Sequence, residues 1–183
     1  MSVRLGLLAI LDHGSCYGYQ LRTELDRRTG GAGPVNVGQI YNTLDRLEKS
    51  GLVRKAGADA EAANYYAITD AGRAAVHDWF AAASPWDELP AKLALALTLP
   101  NTDVAAVINV QRAAAEASAT PIAANSGTGD VSRAVIDAAG RESMAAELRF
   151  LDTVEALLAR GVAPIPLNTD LPRRGRPRKA PQD

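Results

Sequence analysis

A short polar series stands out in the first third of the chain, on one side of a helix predicted to begin after Asn36. Amides and hydroxyls can hydrogen-bond the edges of bases, whereas cations pair with phosphates. We therefore expect this side of the helix to enter the major groove of DNA. The side chains predicted to contact bases are Gln39, Asn42, Thr43 and Arg46.

The other side of the same helix is apolar. Ile40, Leu44 and Leu47 are spaced by four and three residues, as an amphipathic helix requires. Gly51 ends the helix, because glycine adopts the left-handed conformation without steric cost. The apolar side would hold the helix on a core and leave its polar side facing solvent.

A basic hairpin is predicted directly after this helix. Residues 52–55 and 64–68 alternate between polar and apolar side chains and flank loop 57–63, which is too long for a two-residue turn. Such a wing would lie along the sugar-phosphate backbone. The side chains predicted to contact that backbone, including hydroxyl and amide donors near helix ends, are Tyr19, Asn36, Tyr41, Lys49, Arg54 and Lys55.

Two further helices are predicted upstream. The first is a short, mostly apolar helix that ends near residues 12–14, and the second is a helix over residues 16–28 capped by Ser15. Three helices followed by a hairpin predict a winged helix-turn-helix within the first 70 residues. Taken alone, the pattern equally fits a protein-interaction element with a solvated polar face.

Three linked motifs make the pattern specific. CYGYQLRTEL, VGQIYNTLDRLEKSGLVRK and NYYAITDAGR resemble the PadR family of bacterial transcriptional regulators, densely over the first 83 residues and loosely beyond. The resemblance implies a homodimer that binds an inverted repeat in double-stranded DNA, usually as a repressor released by a small molecule. One position departs from the family, since Asn42 stands where Pro or a small residue is common. An amide there would add a base contact, typically to adenine.

The middle of the chain is acidic and helical in character. Residues 84–170 hold six Lys/Arg and eleven Asp/Glu, which suits dimerisation or sensing better than DNA contact. A helical stripe in its last helix would pack on another helix, and the resemblance implies that this is the dimer interface. Burial of the stripe in the core of its own chain remains the alternative. The stripe consists of Met144, Leu148, Leu151, Val154 and Leu158.

Two tryptophans flank the predicted boundary at Ser84-Pro85. Trp79 and Trp86 are candidates for stacking on a flat aromatic effector, as the resemblance suggests, although packing at the hinge is the favoured explanation. The predicted fold is mainly α (α+β), with a winged helix-turn-helix domain followed by a helical dimerisation domain. The predicted divisions are residues 1–83, residues 84–161 and a flexible basic tail over residues 162–183.

The tail is too rich in proline for a helix and too polar for a core. Residues 171–183 hold five Lys/Arg and one acidic residue. The RGRP core formed by Arg174, Gly175, Arg176 and Pro177 is similar to an AT-hook, in which glycine lets arginines follow the narrow minor groove of A·T-rich DNA. A generic basic tail that binds any polyanion is the alternative.

Several function classes find no support in the sequence. A Ser/His/Asp set, a nucleophile elbow and a phosphate loop are all missing, and the two histidines have no metal-ligand spacing, so we expect no enzyme activity, metal or cofactor. The sequence predicts no membrane span, and its single cysteine suits a reducing cytoplasm, where we expect a nucleoid-associated protein. The remaining alternative is a winged-helix protein-interaction scaffold without specific DNA binding.

Overall fold

A computed structural model describes residues 2–31, 35–58, 64–124 and 131–168 of the chain. The chain divides into two compact units. The N-terminal unit contains Ser2–Val76 and takes up the chain again at Ile165, and the C-terminal unit contains His77–Pro164.

The N-terminal unit is a winged helix-turn-helix. Its elements are α1 (Val3–His13), β1 (Cys16–Tyr17), α2 (Gly18–Thr29), α3 (Val37–Lys49), β2 (Val53–Ala58), β3 (Asn64–Ile68) and the first part of α4 (Asp70–Ala81). The three strands form one antiparallel sheet in the order β1-β3-β2. The helices and the hairpin follow in the predicted order, so the predicted fold class is confirmed.

The core of this unit is built by three helices that each bury one apolar side. Leu7, Leu8 and Ile10 of α1 are fully buried, as are Leu21 and Leu25 of α2. The apolar stripe of α3 packs against them with no solvent exposure. This burial fixes which side of α3 remains outside, which is the property that a recognition helix needs.

The predicted start of the second helix is wrong. Ser15 does not cap it, because Cys16 and Tyr17 form β1 and pair with Tyr66 and Tyr65 of β3. The backbone groups of this short segment find partners in the sheet, so α2 begins only at Gly18. Burial raises the pKa of the Cys16 thiol to about 12, which makes this cysteine an inert core residue.

A small hydrogen-bonded junction joins the end of α3 to the start of α4. The Thr69 hydroxyl donates to the Gly51 carbonyl at 2.7 Å and accepts from the Gly72 amide at 3.2 Å. Gly72 lies so close to the Leu52 carbonyl oxygen and to Ile68 that a Cβ has no room there. The threonine and glycine of the third motif therefore hold the wing and α4 against the end of the recognition helix.

The C-terminal unit contains the rest of α4 and three further helices: α5 (Leu89–Thr98), α6 (Val104–Ala124) and α7 (Val131–Leu158). Asp103 caps α6, since its carboxylate accepts from the Ala106 amide at 2.9 Å. In the described part of the chain, no helix is both long and apolar enough to cross a membrane. The core is formed by Leu89, Leu93, Val107, Ile108, Leu151 and Val154.

Candidate nucleic-acid interface

The recognition helix α3 begins with a side-chain cap. The Asn36 amide oxygen accepts from the Gln39 backbone N–H at 2.8 Å, which satisfies one of the free donors of the first turn. The oxygen of this side chain is therefore committed to the helix. Its amide nitrogen is a donor, and this is the part of Asn36 that can contact a phosphate.

The outward side of α3 is polar and accessible. Gln39, Asn42, Arg46 and Lys49 are all exposed, whereas Thr43 is half-buried. The Thr43 hydroxyl donates to the Gln39 carbonyl at 2.8 Å, so its hydrogen is used within the helix. Gln39, Asn42 and Arg46 are therefore better placed to contact bases than Thr43, which retains its methyl group and its oxygen lone pairs.

The cations around this surface differ in how far they are neutralised. Within the described residues, no carboxylate lies within ion-pair distance of Arg46, Lys49 or Arg54. Lys55 instead contacts Glu48 at 3.2 Å, and this hydrogen bond raises the pKa of the lysine. The first three cations are available to phosphates, while Lys55 must first leave Glu48.

Asp45 is an acidic residue on this surface that sequence reasoning did not single out. It is exposed, and its negative charge contributes to the raised pKa values of Lys55 and Tyr66 in the hairpin. A carboxylate at such a position can accept from the amino group of cytosine, and it repels phosphates. The sequence could have indicated this residue, because Asp45 follows Asn42 by three residues and that spacing places two side chains on the same side of a helix.

Two tyrosines predicted to contact the DNA backbone lie close to the start of α2. Tyr41 on α3 is 42% exposed, and its ring covers Gly18, where a built Cβ would come within 2.7 Å of ring carbons. Tyr19 is half-exposed. The glycine of the first motif and the tyrosine of the second are therefore partners in one contact between α2 and α3.

Two predicted parts of the interface lie outside the described residues. They are residues 59–63 of the wing loop and the tail residues Arg174, Gly175, Arg176 and Pro177. At the base of the wing, Arg54 and Lys55 are exposed on β2.

In the C-terminal unit, the predicted stripe divides into a buried part and an accessible part. Leu151 and Val154 are buried in the core of their own chain, and Leu158 packs against that core. Intramolecular burial thus explains these three residues. Met144 and Leu148 are half-buried. The large apolar side chains that α7 exposes are Val131, Val135, Ile136 and Leu157.

The two tryptophans have different surroundings. Trp79 packs against Phe80 with ring centroids 4.8 Å apart, and the Lys92 ammonium lies 5.6 Å from the Trp79 ring centroid. Trp86 is 42% exposed and makes an edge contact with Phe150 at 5.5 Å. Of the two, Trp86 is therefore the more accessible to a ligand. Among the described residues, no cluster of His, Cys, Asp or Glu has the arrangement of a metal site.

A buried three-helix core that presents a polar helix, followed by a basic two-stranded wing, defines the winged-helix class of nucleic-acid-binding domains. Residues 7–78 match the model of the Transcriptional regulator PadR-like family. The winged-helix region of this chain is therefore similar to a family of transcriptional regulators.

Several solved structures of regulators match the chain. A transcriptional regulator from Clostridium thermocellum is 25% identical, and the match covers 42% of this chain and 75% of that one, with a TM-score of 0.40. Bacillus subtilis PadR in complex with operator DNA is 18% identical over 87% of this chain and 99% of its own, with a TM-score of 0.41. The PadR-like regulator BC1756 from Bacillus cereus is 19% identical, with the same coverage and a TM-score of 0.40. No curated protein matches the chain by sequence.

Proposed function

We propose that this protein is a sequence-specific, homodimeric repressor that binds an inverted-repeat operator. The observation that carries the proposal is the exposed side of α3, where amide side chains and cations without an ion-pair partner among the described residues lie opposite a fully buried apolar stripe. One recognition helix reads only a few base pairs. A two-fold dimer with its helices about one duplex turn apart is the ordinary way to reach useful specificity.

Within this proposal the side chains have distinct roles. Gln39, Asn42 and Arg46 contact bases, with the amide of Asn42 suited to adenine and the guanidinium of Arg46 suited to guanine. Thr43 offers its methyl group to thymine. The backbone contacts come from Tyr19, Asn36, Tyr41, Lys49, Arg54 and Lys55.

The dimer is proposed to form through α7. Its N-terminal half exposes Val131, Val135 and Ile136, with exposed fractions between 61% and 77%. Branched aliphatic side chains at this exposure are costly to leave in water, and a second copy of α7 would cover them. Met144 and Leu148, which are half-buried in one chain, would extend this contact.

A small-molecule effector is proposed to bind at Trp86. This ring is 42% exposed and makes an edge-to-face contact with Phe150, and its exposed part would stack on a flat aromatic compound. The first probe is p-coumaric acid, the compound in one solved structure of Bacillus subtilis PadR. We expect it to quench tryptophan fluorescence in the wild type and in Trp79→Phe but not in Trp86→Phe; equal quenching in both variants would remove Trp86 from the site.

The decisive experiment on DNA binding uses DNA fragments selected by the full-length protein, including the region upstream of its own coding sequence. Titration followed by fluorescence anisotropy should show saturable binding. Arg46→Ala should weaken binding by about 1 to 3 kcal/mol per half-site, because a contact to a base or phosphate is lost. Arg4→Ala is the matched control, since Arg4 is also an exposed arginine of the N-terminal unit but lies on α1.

The outcomes separate the repressor from a protein-interaction scaffold. Equal affinity for selected and scrambled DNA, or an equal loss in Arg46→Ala and Arg4→Ala, would contradict specific recognition through α3. The scaffold alternative would then be favoured. A regulator that acts on chromosomal DNA would be found in the cytoplasm with the nucleoid, and we propose that location.

A further inference from the structure

Asp45 lies near the middle of the outward side of α3. Its side chain is exposed, and it follows Asn42 by three residues and precedes Lys49 by four. Because each residue of an α-helix turns the chain by about 100°, these spacings place the Asp45 side chain about 60° from Asn42 and about 40° from Lys49 around the helix axis. The middle of the buried stripe is about 130° away on the same scale. A duplex that contacts Asn42 and Lys49 is therefore approached by a carboxylate as well.

In the described part of the chain, the Asp45 carboxylate has no ion-pair partner. Lys49 has the spacing of a helical ion pair, but the two side chains do not come within ion-pair distance of each other. Lys55 on the hairpin contacts Glu48 at 3.2 Å instead. No ion pair therefore compensates the negative charge of Asp45 on the surface proposed to enter the major groove.

A carboxylate without such a partner weakens binding to most DNA sequences. Phosphates give the grooves a negative potential, and affinity for any sequence depends largely on the cations that neutralise them. The carboxylate gains a favourable contact only where a base edge presents a hydrogen-bond donor, and in the major groove the donors are the amino groups of cytosine and adenine. Adenine places the acceptor N7 directly beside its amino group. A carboxylate, which can only accept, therefore favours cytosine.

We propose that Asp45 is a specificity-determining residue of α3, whose carboxylate accepts a hydrogen bond from the amino group of one cytosine in each half-site. The assignment rests on the proposed DNA binding. The same carboxylate lowers the affinity for DNA that lacks cytosine at this position, because no hydrogen bond then offsets its repulsion from the phosphates. Asp45 thus increases the ratio of specific to nonspecific binding, whereas Lys49 increases both affinities.

Glu48, the other carboxylate of α3, differs from Asp45 in position and in partner. Its side chain is 33% exposed and contacts Lys55 on β2. Around the helix axis it lies about 60° from Asp45, toward the hairpin. Glu48→Gln therefore removes a charge from α3 without removing an acceptor from the middle of its outward side, and it is the matched control. Asp12→Asn, at an exposed position of α1, controls for a change of charge elsewhere in the N-terminal unit.

The test uses the full-length protein and labelled duplexes derived from its selected DNA fragments. In one series, each base pair of the half-site is replaced in turn, in both halves of the operator together. An unrelated duplex of the same length measures nonspecific binding. Dissociation constants at about 0.1 M salt are compared for the wild type, Asp45→Ala and the two control variants. Thermal unfolding followed by circular dichroism checks that the four proteins fold alike.

We expect the wild type to lose affinity about 5-fold to 100-fold when one particular cytosine is replaced, as for a mismatched base pair. Asp45→Ala should lose less than about twofold at that position and keep the wild-type preference at the other positions, because only one acceptor is missing. It should also bind the unrelated duplex about threefold more tightly. Glu48→Gln should bind the unrelated duplex more tightly but keep the full preference for cytosine, and Asp12→Asn should match the wild type in both measurements.

Three results would overturn the inference while leaving recognition by α3 intact. The first is an Asp45→Ala variant that discriminates like the wild type at every base pair. The second is a loss of discrimination at a base pair that contains no cytosine. The third is an Asp45→Ala variant that changes binding in the same way as Glu48→Gln, which would mean that Asp45 acts through its charge alone. A wild type that binds selected and unrelated duplexes equally would instead remove the proposed function, and this inference with it.

Discussion

The ring of Tyr41 on the recognition helix lies directly over Gly18 at the start of α2, and a built Cβ at Gly18 would come within 2.7 Å of the tyrosine Cε1 and Cζ atoms. This contact sets the position of a predicted phosphate-binding hydroxyl. It also explains why a glycine in one motif occurs together with a tyrosine in the next, because a side chain at residue 18 would collide with the tyrosine ring.

Gly18→Ala should weaken DNA binding more than it weakens the fold. The atoms that the new methyl group meets belong to the far end of a side chain that is 42% exposed, so the ring can swing aside. We expect a loss of about 1 kcal/mol or less in the free energy of unfolding. The displaced hydroxyl should cost about 1 kcal/mol or more in DNA affinity.

A double-mutant cycle that combines Gly18→Ala with Tyr41→Ala provides the control. In a Tyr41→Ala background the alanine at residue 18 meets no ring, so Gly18→Ala should then change DNA affinity little. If both backgrounds lose the same affinity on Gly18→Ala, the contact with Tyr41 does not transmit the effect.

Gly72→Ala should destabilise the N-terminal unit strongly. The added methyl group would collide with the Leu52 main-chain oxygen and come within 2.6 Å of Ile68 Cγ1, and neither neighbour is a flexible side-chain end. We expect a loss of about 2 to 4 kcal/mol in the free energy of unfolding, measured by circular dichroism. Ala71→Ser, one residue earlier at an exposed position, should change stability by less than about 0.5 kcal/mol.

Lys92 should make the stability of the C-terminal unit depend on pH. Its side chain is 1% exposed and donates to the Ala82 carbonyl and to the Ser84 hydroxyl at 3.2 Å, and burial lowers its pKa from 10.5 to about 8. Between these two values the unfolded chain holds a proton that the folded chain has released. The free energy of unfolding should therefore rise as pH increases from about 8 to 10.5, by about 2 to 3 kcal/mol.

Lys92→Met isolates this effect. At pH 7 the variant avoids the free-energy cost of burying an ammonium, but it leaves the Ala82 carbonyl without its donor. Any gain in its free energy of unfolding over the wild type should become smaller above pH 8. Both tryptophans lie in the C-terminal unit, so their fluorescence reports its unfolding. Parallel pH profiles for wild type and Lys92→Met would contradict the lowered pKa, and Lys49→Met controls for the change of residue type at an exposed site.

Much of the N-terminal unit was predictable from sequence, because its signals are local. The spacing of Ile40, Leu44 and Leu47 predicted the buried side of α3, and the residue type of Asn36 indicated where the helix begins. The strand at Cys16–Tyr17 was missed because its only evidence is pairing with residues almost fifty positions away. Sequence-local patterns do not contain that information.

The candidate site was predictable only in outline. Helical spacing correctly placed Gln39, Asn42 and Arg46 on an exposed side, but it could not show that the Thr43 hydroxyl bonds within the helix. The ion pair between Lys55 and Glu48 joins a strand to a helix and is also non-local. The contact of residues 165–168 with α2 could not be predicted for the same reason, because Gln20 and Asn168 are 148 residues apart in sequence.

Lys49→Ala should lower DNA affinity without changing sequence preference. Lys49 is exposed near the end of α3, where a side chain contacts phosphate rather than bases, so its removal should reduce the slope of log Kd against log salt by about one per half-site. Binding measured between about 50 and 200 mM salt gives this slope. Asn42→Ala should behave in the opposite way, with little change in slope and a relaxed preference at one base pair. A Lys49→Ala variant that alters base preference would mean that α3 lies deeper in the groove than proposed.

Charge on the N-terminal half of α7 should prevent dimerisation without unfolding the chain. Val135 is 61% exposed, so Val135→Asp leaves the core of its own protomer unchanged and places a carboxylate where a second copy would pack. Analytical ultracentrifugation should then show a monomer with wild-type helix content and a much weaker affinity for a two-half-site operator. Ala113→Asp, at an exposed position of α6 in the same unit, tests whether charge alone has this effect. A Val135→Asp protein that remains dimeric would show that the partner contacts a different surface.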